Sequence, residues 1–178
     1  MEKTLILVKP DGVKKGLSGE ILSRFERTGL KLVAAKLIKP SREFIGKHYG
    51  NDPKWVAGMG GKTLANYKEY GIDPIKELGT SDALEIGKMI REWLLDFMSS
   101  GPVLAAVFEG SHAVDIAKKV AGNTLPLYAG CGTIRGDYST ESADLANAEK
   151  RAIQNLVHIS GSLADAAHEV SHWFPELK

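Results

Sequence analysis

Four short apolar runs, each followed by a segment with helical signals, restrict this chain more than any other feature. Residues 4–8, 30–38, 102–108 and 152–159 are apolar or nearly so. Runs of that length between turn residues read as buried strands. The segments between them carry helix punctuation. Ser18 can cap a helix that presents Ile21, Leu22 and Phe25 on one face and stops at Gly29. Pro40 and Ser41 open a short helix carrying His48 and Tyr49, and Ser111 begins one with Ala113, Val114, Ala117 and Val120 inward, ended by Gly122. A polar, Gly-rich loop over 123–140 and a short helix to Arg151 precede the last strand. The pattern is strand then helix, four times, and Lys31 and Lys36 suggest that the second strand has one exposed side or lies at an edge.

Residues 50–80 break this rhythm. They hold Asp52-Pro53, Gly58-Met59-Gly60-Gly61, Gly71 and Asp73-Pro74, with a weak helical pattern only over 63–70. The next stretch, 82–98, is strongly amphipathic, with Ile86, Met89, Ile90, Trp93, Leu94 and Phe97 in one stripe that reads as core packing. At 178 residues the chain has room for one domain and too little for two. Lys plus Arg number 23 against 22 Asp plus Glu, a net charge of +1 that argues against a broad nucleic-acid footprint. A single cysteine, Cys131, excludes an internal disulfide framework. No apolar run approaches the roughly 20 residues of a membrane span, and Met1-Glu2-Lys3 leads straight into a strand. The expectation is a cytoplasmic protein.

Three motifs offer chemistry. His168-Glu169-Val170-Ser171-His172 matches the HExxH pattern of zinc metallopeptidases. A helical wheel places Leu163, Ala166, Ala167, Val170 and Phe174 on the buried face and both histidines opposite, and Glu176 is the sole downstream candidate for a third ligand. Two surface histidines are therefore expected, and no metal site. Gly60-Gly61-Lys62-Thr63 resembles the end of a P-loop, but its first glycine would fall at Val56, so a Gly-rich turn is expected.

The third motif is His158, delivered by the last strand to a Ser160-Gly161-Ser162 turn, where Ser162 and Asp165 make a capping-box-like helix start. Strand end and helix N-terminus attract anions there. Glu169, two turns into the helix, is placed to reach one ring nitrogen, fix the tautomer and leave the other lone pair free to attack. Taken alone, His158 reads equally as a satisfied core histidine. Lys9, Thr124, Arg135 and Asn155 would add a polyphosphate cradle if the fold brings them together.

The chain resembles the nucleoside diphosphate kinases over nearly all its length except about 50–91. The segments that carry the resemblance, in order, are Val8-Lys9-Pro10-Asp11-Gly12-Val13 with Gly16-Leu17-Ser18-Gly19-Glu20; His48-Tyr49; Ser100-Gly101-Pro102-Val103; Gly122-Asn123-Thr124-Leu125-Pro126; Gly132-Thr133-Ile134-Arg135-Gly136-Asp137; and Asn155-Leu156-Val157-His158-Ile159-Ser160. Glu169 and Trp173-Phe174 match as well.

The resemblance implies an α+β, ferredoxin-like βαββαβ antiparallel sheet with helices on one face, plus a helical insertion at about 50–91 within one domain, 1–178. It implies ping-pong transfer of the γ-phosphoryl of an NTP to an NDP, with His158 as nucleophile through Nδ1 and Glu169 orienting its ring. Lys9, Arg135, Thr124, Lys118, Ser160 and Tyr49 are expected around the phosphates, with Asn155 and Lys9 on the sugar. Magnesium is expected to arrive with the nucleotide, without an all-protein metal cage. Partners expected are the nucleotides and further copies of the chain, in a hexamer or tetramer, with no membrane or specific nucleic acid.

The chain departs from the family pattern at Gly161, where aspartate is usual, and at Lys118 and Lys15, where arginine is. The segment between Tyr49 and Ser100 is longer than the compact family pattern by about thirty residues, too long for a plain loop. It normally supplies the aromatic that stacks on the base. Trp55, or Val56, is the candidate here, and a packing tryptophan is the rival reading. A catalytically impaired nucleotide-binding or regulatory module is the non-enzymatic alternative.

Overall fold

The computed structural model describes residues 1–177. Its centre is β1 (Glu2–Val8), whose Leu5, Ile6, Leu7 and Val8 are fully buried. Both faces of this strand are covered, so its sequence is apolar throughout rather than alternating. After it come α1 (Pro10–Lys14), α2 (Ser18–Glu26), β2 (Lys31–Ile38), α3 (Arg42–His48), α4 (Pro53–Glu69), α5 (Pro74–Leu78) and α6 (Ala83–Ser99). Then follow β3 (Val103–Gly110), α7 (Ala113–Ala121), α8 (Ile134–Tyr138), α9 (Ala143–Ala148), β4 (Val157–Ile159) and α10 (Leu163–Trp173).

The sheet runs β2-β3-β1-β4, with every neighbouring pair antiparallel, the ferredoxin-like order. On one face Ile6, Val8, Ala106 and Phe108 pack against Ile21 and Phe25 of α2 and Ala113 and Ala117 of α7. These are the two crossover helices expected on one face. The other face is covered as well. Leu5, Leu7, Val103, Ala105 and Val107 meet Ile45 of α3, Leu95 and Met98 of α6, and Val170, Trp173 and Phe174 at the end of α10. β2 lies at the edge and alternates in exposure, with Lys31 exposed but Lys36 on the half-buried phase, its Nζ donating to Trp173 O.

Several local expectations are corrected. The last strand is three residues, not eight, because Leu156 turns with φ +70° and the preceding segment leaves the ladder. Ser18 is the first residue of α2 rather than its cap, and its side chain makes no capping bond. Lys9-Pro10-Asp11-Gly12 enters a short helix rather than a turn, with proline at its first position. α7 starts after His112, held at φ +54°.

The largest revision concerns 50–80. Residues 53–69 form a 17-residue helix, so Gly58-Met59-Gly60-Gly61 is neither turn nor P-loop. Its start obeys local rules: the Asp52 carboxylate accepts from the backbone N–H of Lys54 and Trp55 at 3.0 and 3.1 Å, with Pro53 next. Its middle does not, since glycine costs about 1 kcal/mol per helical position. Packing overrides that cost. A Cβ at Gly60 would fall on Ala83 O, and one at Gly87 on Val56 O, so α4 and α6 cross backbone to backbone at two glycines. Of the predicted stripe on α6, Ile86 is buried in this crossing, while Ile90, Trp93 and Leu94 face a cleft.

Candidate active site

β4 is held in place from two sides. Its Ile159, His158 and Val157 pair with Ile6, Leu7 and Val8 of β1. The chain just before it is pinned by Asp11, whose Oδ2 accepts from Leu156 N at 3.0 Å, and by Lys9 N donating to Leu156 O at 2.8 Å. At the strand exit Ser162 caps α10, its Oγ accepting from Asp165 N at 3.1 Å; the Asp165 Oδ2 accepts from the Ser162 hydroxyl at 2.8 Å rather than from its backbone N–H, so the capping box is half formed. The helix then lays Glu169 beside the strand.

His158 Nε2 and Glu169 Oε1 are 2.9 Å apart, and Ser160 Oγ donates to Glu169 Oε2 at 2.7 Å. Leu5 N in turn donates to Ser160 Oγ at 3.1 Å. Glu169 thus has both oxygens engaged. Burial pushes its carboxyl up, but the histidine's charge and hydrogen bond outweigh this and hold it down at about 2. A carboxylate on Nε2 leaves Nδ1 as the free nitrogen of the ring. Ser160, expected among the phosphate contacts, is fully buried with its hydroxyl committed to Glu169, which places it behind the imidazole.

The cations come from far along the chain. Lys9 is buried and its Nζ donates to Asn155 Oδ1 at 2.7 Å. Burial, with the Arg135 guanidinium nearby, lowers its ammonium to about 8 despite the opposing pull of Asp11. Asn155 Nδ2 donates to Thr124 O at 2.8 Å, tying the Gly-rich loop to this corner. Arg135, on α8, is buried too. Its Nε, Nη1 and Nη2 donate to the carbonyls of Asn155, Gly122 and Val157 at 3.2, 2.6 and 2.9 Å. Three of five guanidinium N–H groups are thereby used and two remain. Burial lowers its pKa to about 10, leaving it charged at neutral pH.

These groups border one cleft of about 710 Å³, the volume of a small-molecule site. His158, Lys9, Arg135 and Asn155 stand at one end with Thr124, and Lys118 is exposed beside Asp115 at the rim. Tyr49 is buried with its ring 6.1 Å from that of His158, and Trp55 is 6.5 Å further from Tyr49. Trp55 is 38% exposed and lines the cleft, whereas Val56 is buried in the helix crossing, which separates the two stacking candidates.

Sequence reasoning missed Lys62, Asn66 and Arg151, which also line the cleft. Lys62 was in view only as part of a failed P-loop, and Arg151 because its partner, Glu141 at 2.7 Å, lies ten residues away across a loop. The insertion closes the far end. Tyr70 stacks on Tyr128 at 3.7 Å and accepts a hydrogen bond from Asn123 Nδ2 at 2.7 Å, while Tyr67 packs with Leu125 and Ala143.

One of the two histidines expected at the surface is not there. His168 is exposed, and His172 is half-buried with Nε2 3.0 Å from Phe44 O. Gly161 leaves room that Asp165 partly fills, since its Oδ2 lies 2.9 Å from where a Cβ would start.

An antiparallel ferredoxin-like sheet presenting a carboxylate-oriented histidine to a cation-walled cleft defines a class: α+β proteins whose cleft sets an imidazole among buried cations. The model of the family described as nucleoside diphosphate kinase matches residues 2–54 and 84–178, leaving most of α4 and α5 between the two matched parts. A nucleoside diphosphate kinase of Pyrobaculum aerophilum is 48% identical over 176 residues, covering 99% of this chain and 96% of its own. The crystal structure of an NDP kinase from that organism superposes with a TM-score of 0.88 at 47% identity, over 97% of this chain and 95% of the other. The Borrelia burgdorferi enzyme, solved as a transition-state mimic with vanadate and ADP, gives 0.77 at 35% identity over 97% and 86%. This chain belongs to the nucleoside diphosphate kinase family.

Proposed function

We propose that the protein is a nucleoside diphosphate kinase working through a phosphohistidine at His158, within one domain that carries a helical insertion. The observation that carries the reading is the Glu169–His158 contact at 2.9 Å facing buried Lys9 and Arg135 across the same cleft. The Nδ1 lone pair attacks the γ-phosphorus of an NTP in line with the bridging oxygen. The P–O bond to the β-phosphate breaks, and the NDP departs with the electron pair. A second NDP then attacks the phosphohistidine through its β-phosphate oxygen, and the N–P bond breaks back to the imidazole.

Transition-state charge sits on the equatorial oxygens, so fixed cations and N–H donors supply most of the catalysis. Lys9 and the two spare N–H groups of Arg135 fill that role, with Thr124 and Lys118 at the outer phosphates and Asn155 toward the sugar. Glu169 offsets the positive charge that the ring acquires. Trp55, beyond Tyr49 on the cleft wall, takes the base.

Magnesium favours oxygen ligands. The described residues of the cleft form no oxygen cage, since Glu169 is spent on His158 and Ser160. The fit is therefore to an ion carried by the nucleotide's phosphates and water, with Asp165 the carboxylate left on the wall. Bound there, it would neutralise phosphate charge. A cytoplasmic homo-oligomer is the setting proposed; among the described residues no helix is long and apolar enough to cross a membrane.

The test is incubation with γ-labelled ATP, followed by acid and base treatment. Wild type takes up acid-labile, base-stable label and passes it to dTDP; His158→Ala takes up none. Label retained in that variant would overturn the reading. A protein that binds ADP without exchanging phosphate would instead be a regulatory module.

A further inference from the structure

One buried titratable group stands beside this machinery without a part in it. His48, the last residue of α3, is 5% exposed. Trp173 Nε1 donates to its Nδ1 at 3.2 Å. Indole N–H is a donor only, so Nδ1 must carry the lone pair and the proton must sit on Nε2. That Nε2 is buried and, among the described residues, has no hydrogen-bond partner, an uncommon state that calls for an explanation.

The ring stands edge-on to His158, with centroids 4.7 Å apart at 81°, and edge-on to Tyr49 at 4.5 Å. One donor atom each from His48, His158 and Glu169 lie within 4.8 Å of one another. The spacing is that of a metal site, yet the tautomer forbids it. Nδ1 is occupied by Trp173, and Nε2 carries a proton where a ligand needs a lone pair. What remains is a neutral N–H donor. Burial, then the nearby His158, lowers the His48 pKa well below its usual value. The titratable groups around it are His158, Tyr49, and Glu169, His168 and His172 of α10.

We propose that His48 is a positioning residue for phosphoryl transfer, locked by Trp173 as the Nε2–H tautomer so that its neutral ring braces the His158–Glu169 pair and keeps Nδ1 of His158 directed into the cleft. The proposal rests on the phosphohistidine reading. A protonated ring here would compete with His158 for Glu169 just as the imidazole becomes cationic. A ring free to turn over would present a lone pair to a carboxylate. Trp173 prevents the second and burial the first.

The test compares single-turnover phosphorylation by ATP, and ADP affinity, in wild type and in His48→Phe, His48→Asn, His48→Gln and Trp173→Phe. Phenylalanine keeps the ring, asparagine keeps an acceptor for Trp173, and glutamine restores an N–H near Nε2. Transfer is expected to slow about 10–100-fold in the first two with ADP affinity unchanged, the scale of a misplaced reacting group. Glutamine should recover most of the rate. Nitrogen NMR of wild type should show His48 protonated on Nε2 alone at neutral pH.

A wild type that takes up no label sinks the phosphohistidine reading itself. A labelled wild type with His48→Phe at full rate, or with glutamine no better than phenylalanine, overturns the His48 assignment alone. So does a proton found on Nδ1, which decides the matter even if the variants fail to fold.

Discussion

Lys9 offers the sharpest quantitative test. Its ammonium is buried, bonded to Asn155 Oδ1 at 2.7 Å, and lowered from the ordinary 10.5 to about 8, chiefly by burial and then by Arg135. At 1.36 kcal/mol per pKa unit, the empty cleft prefers neutral Lys9 by about 3 kcal/mol more than water does. Incoming phosphates reverse that preference, so a nucleotide must bind the charged form. Above about pH 8 the affinity for ADP should therefore fall, approaching tenfold per pH unit and reaching about thirtyfold by pH 9.5.

The sign for stability is the opposite. Between about 8 and 10.5 the unfolded chain holds this proton and the folded one does not. Stability of the empty protein thus rises with pH across that window, while the cost of the buried charge is fully present below it. Relative to Lys9→Met, wild type should gain about 2 kcal/mol between pH 8 and 9.5 in urea unfolding. Isothermal titration with ADP over the same range gives the binding arm, and Lys9→Arg, which keeps its charge, should flatten it. An affinity that stays level to pH 9.5 in wild type, or one that falls identically in Lys9→Arg, would refute the assignment of that titration to Lys9.

Glu169→Gln should slow phosphoryl transfer about 10–10³-fold by removing the charge that steadies the imidazolium, as measured by coupled ATP and dTDP turnover. Its carboxyl is held at about 2, against an ordinary 4.5, so the stability it confers is complete above about pH 4.5 and is lost as pH falls toward 2. The difference between wild type and Glu169→Gln in denaturant unfolding should shrink across that interval. Gly60→Ala should cost about 1–3 kcal/mol in thermal unfolding, because its Cβ meets the unyielding backbone of Ala83. Gly161→Ala, whose Cβ meets only the movable end of Asp165, should cost far less, and equal losses would discredit the crossing argument.

Local rules made much of this readable. The Ser162 cap and the spacing from His158 to Glu169 are decided within a few turns of chain, and they appear as written in the sequence. The convergence of Lys9, Asn155 and Arg135 was not readable from spacing, because it depends on β4 joining the sheet beside β1, some 150 residues away. The resemblance to a family supplied that step. α4 was lost for a different reason. Its glycines argue against a helix until α6 is seen to approach at Gly60, a fact that lives in tertiary contact alone. His48 stands in the sequence only as part of the His48-Tyr49 segment, and its tautomer could not be read there, since it is set by a tryptophan 125 positions away.

Arg135 grips backbone and borders the cleft. By gripping the carbonyls of Asn155 and Val157, it braces the very segment that ends in His158, a ladder of only three paired residues. On the proposed function the same guanidinium is scaffold and ligand contact at once. Its loss would shift the nucleophile as well as the phosphates, and a screen reading activity alone would merge two injuries into one. Substituting lysine, which restores the charge without the fork, separates them: whatever defect survives belongs to geometry.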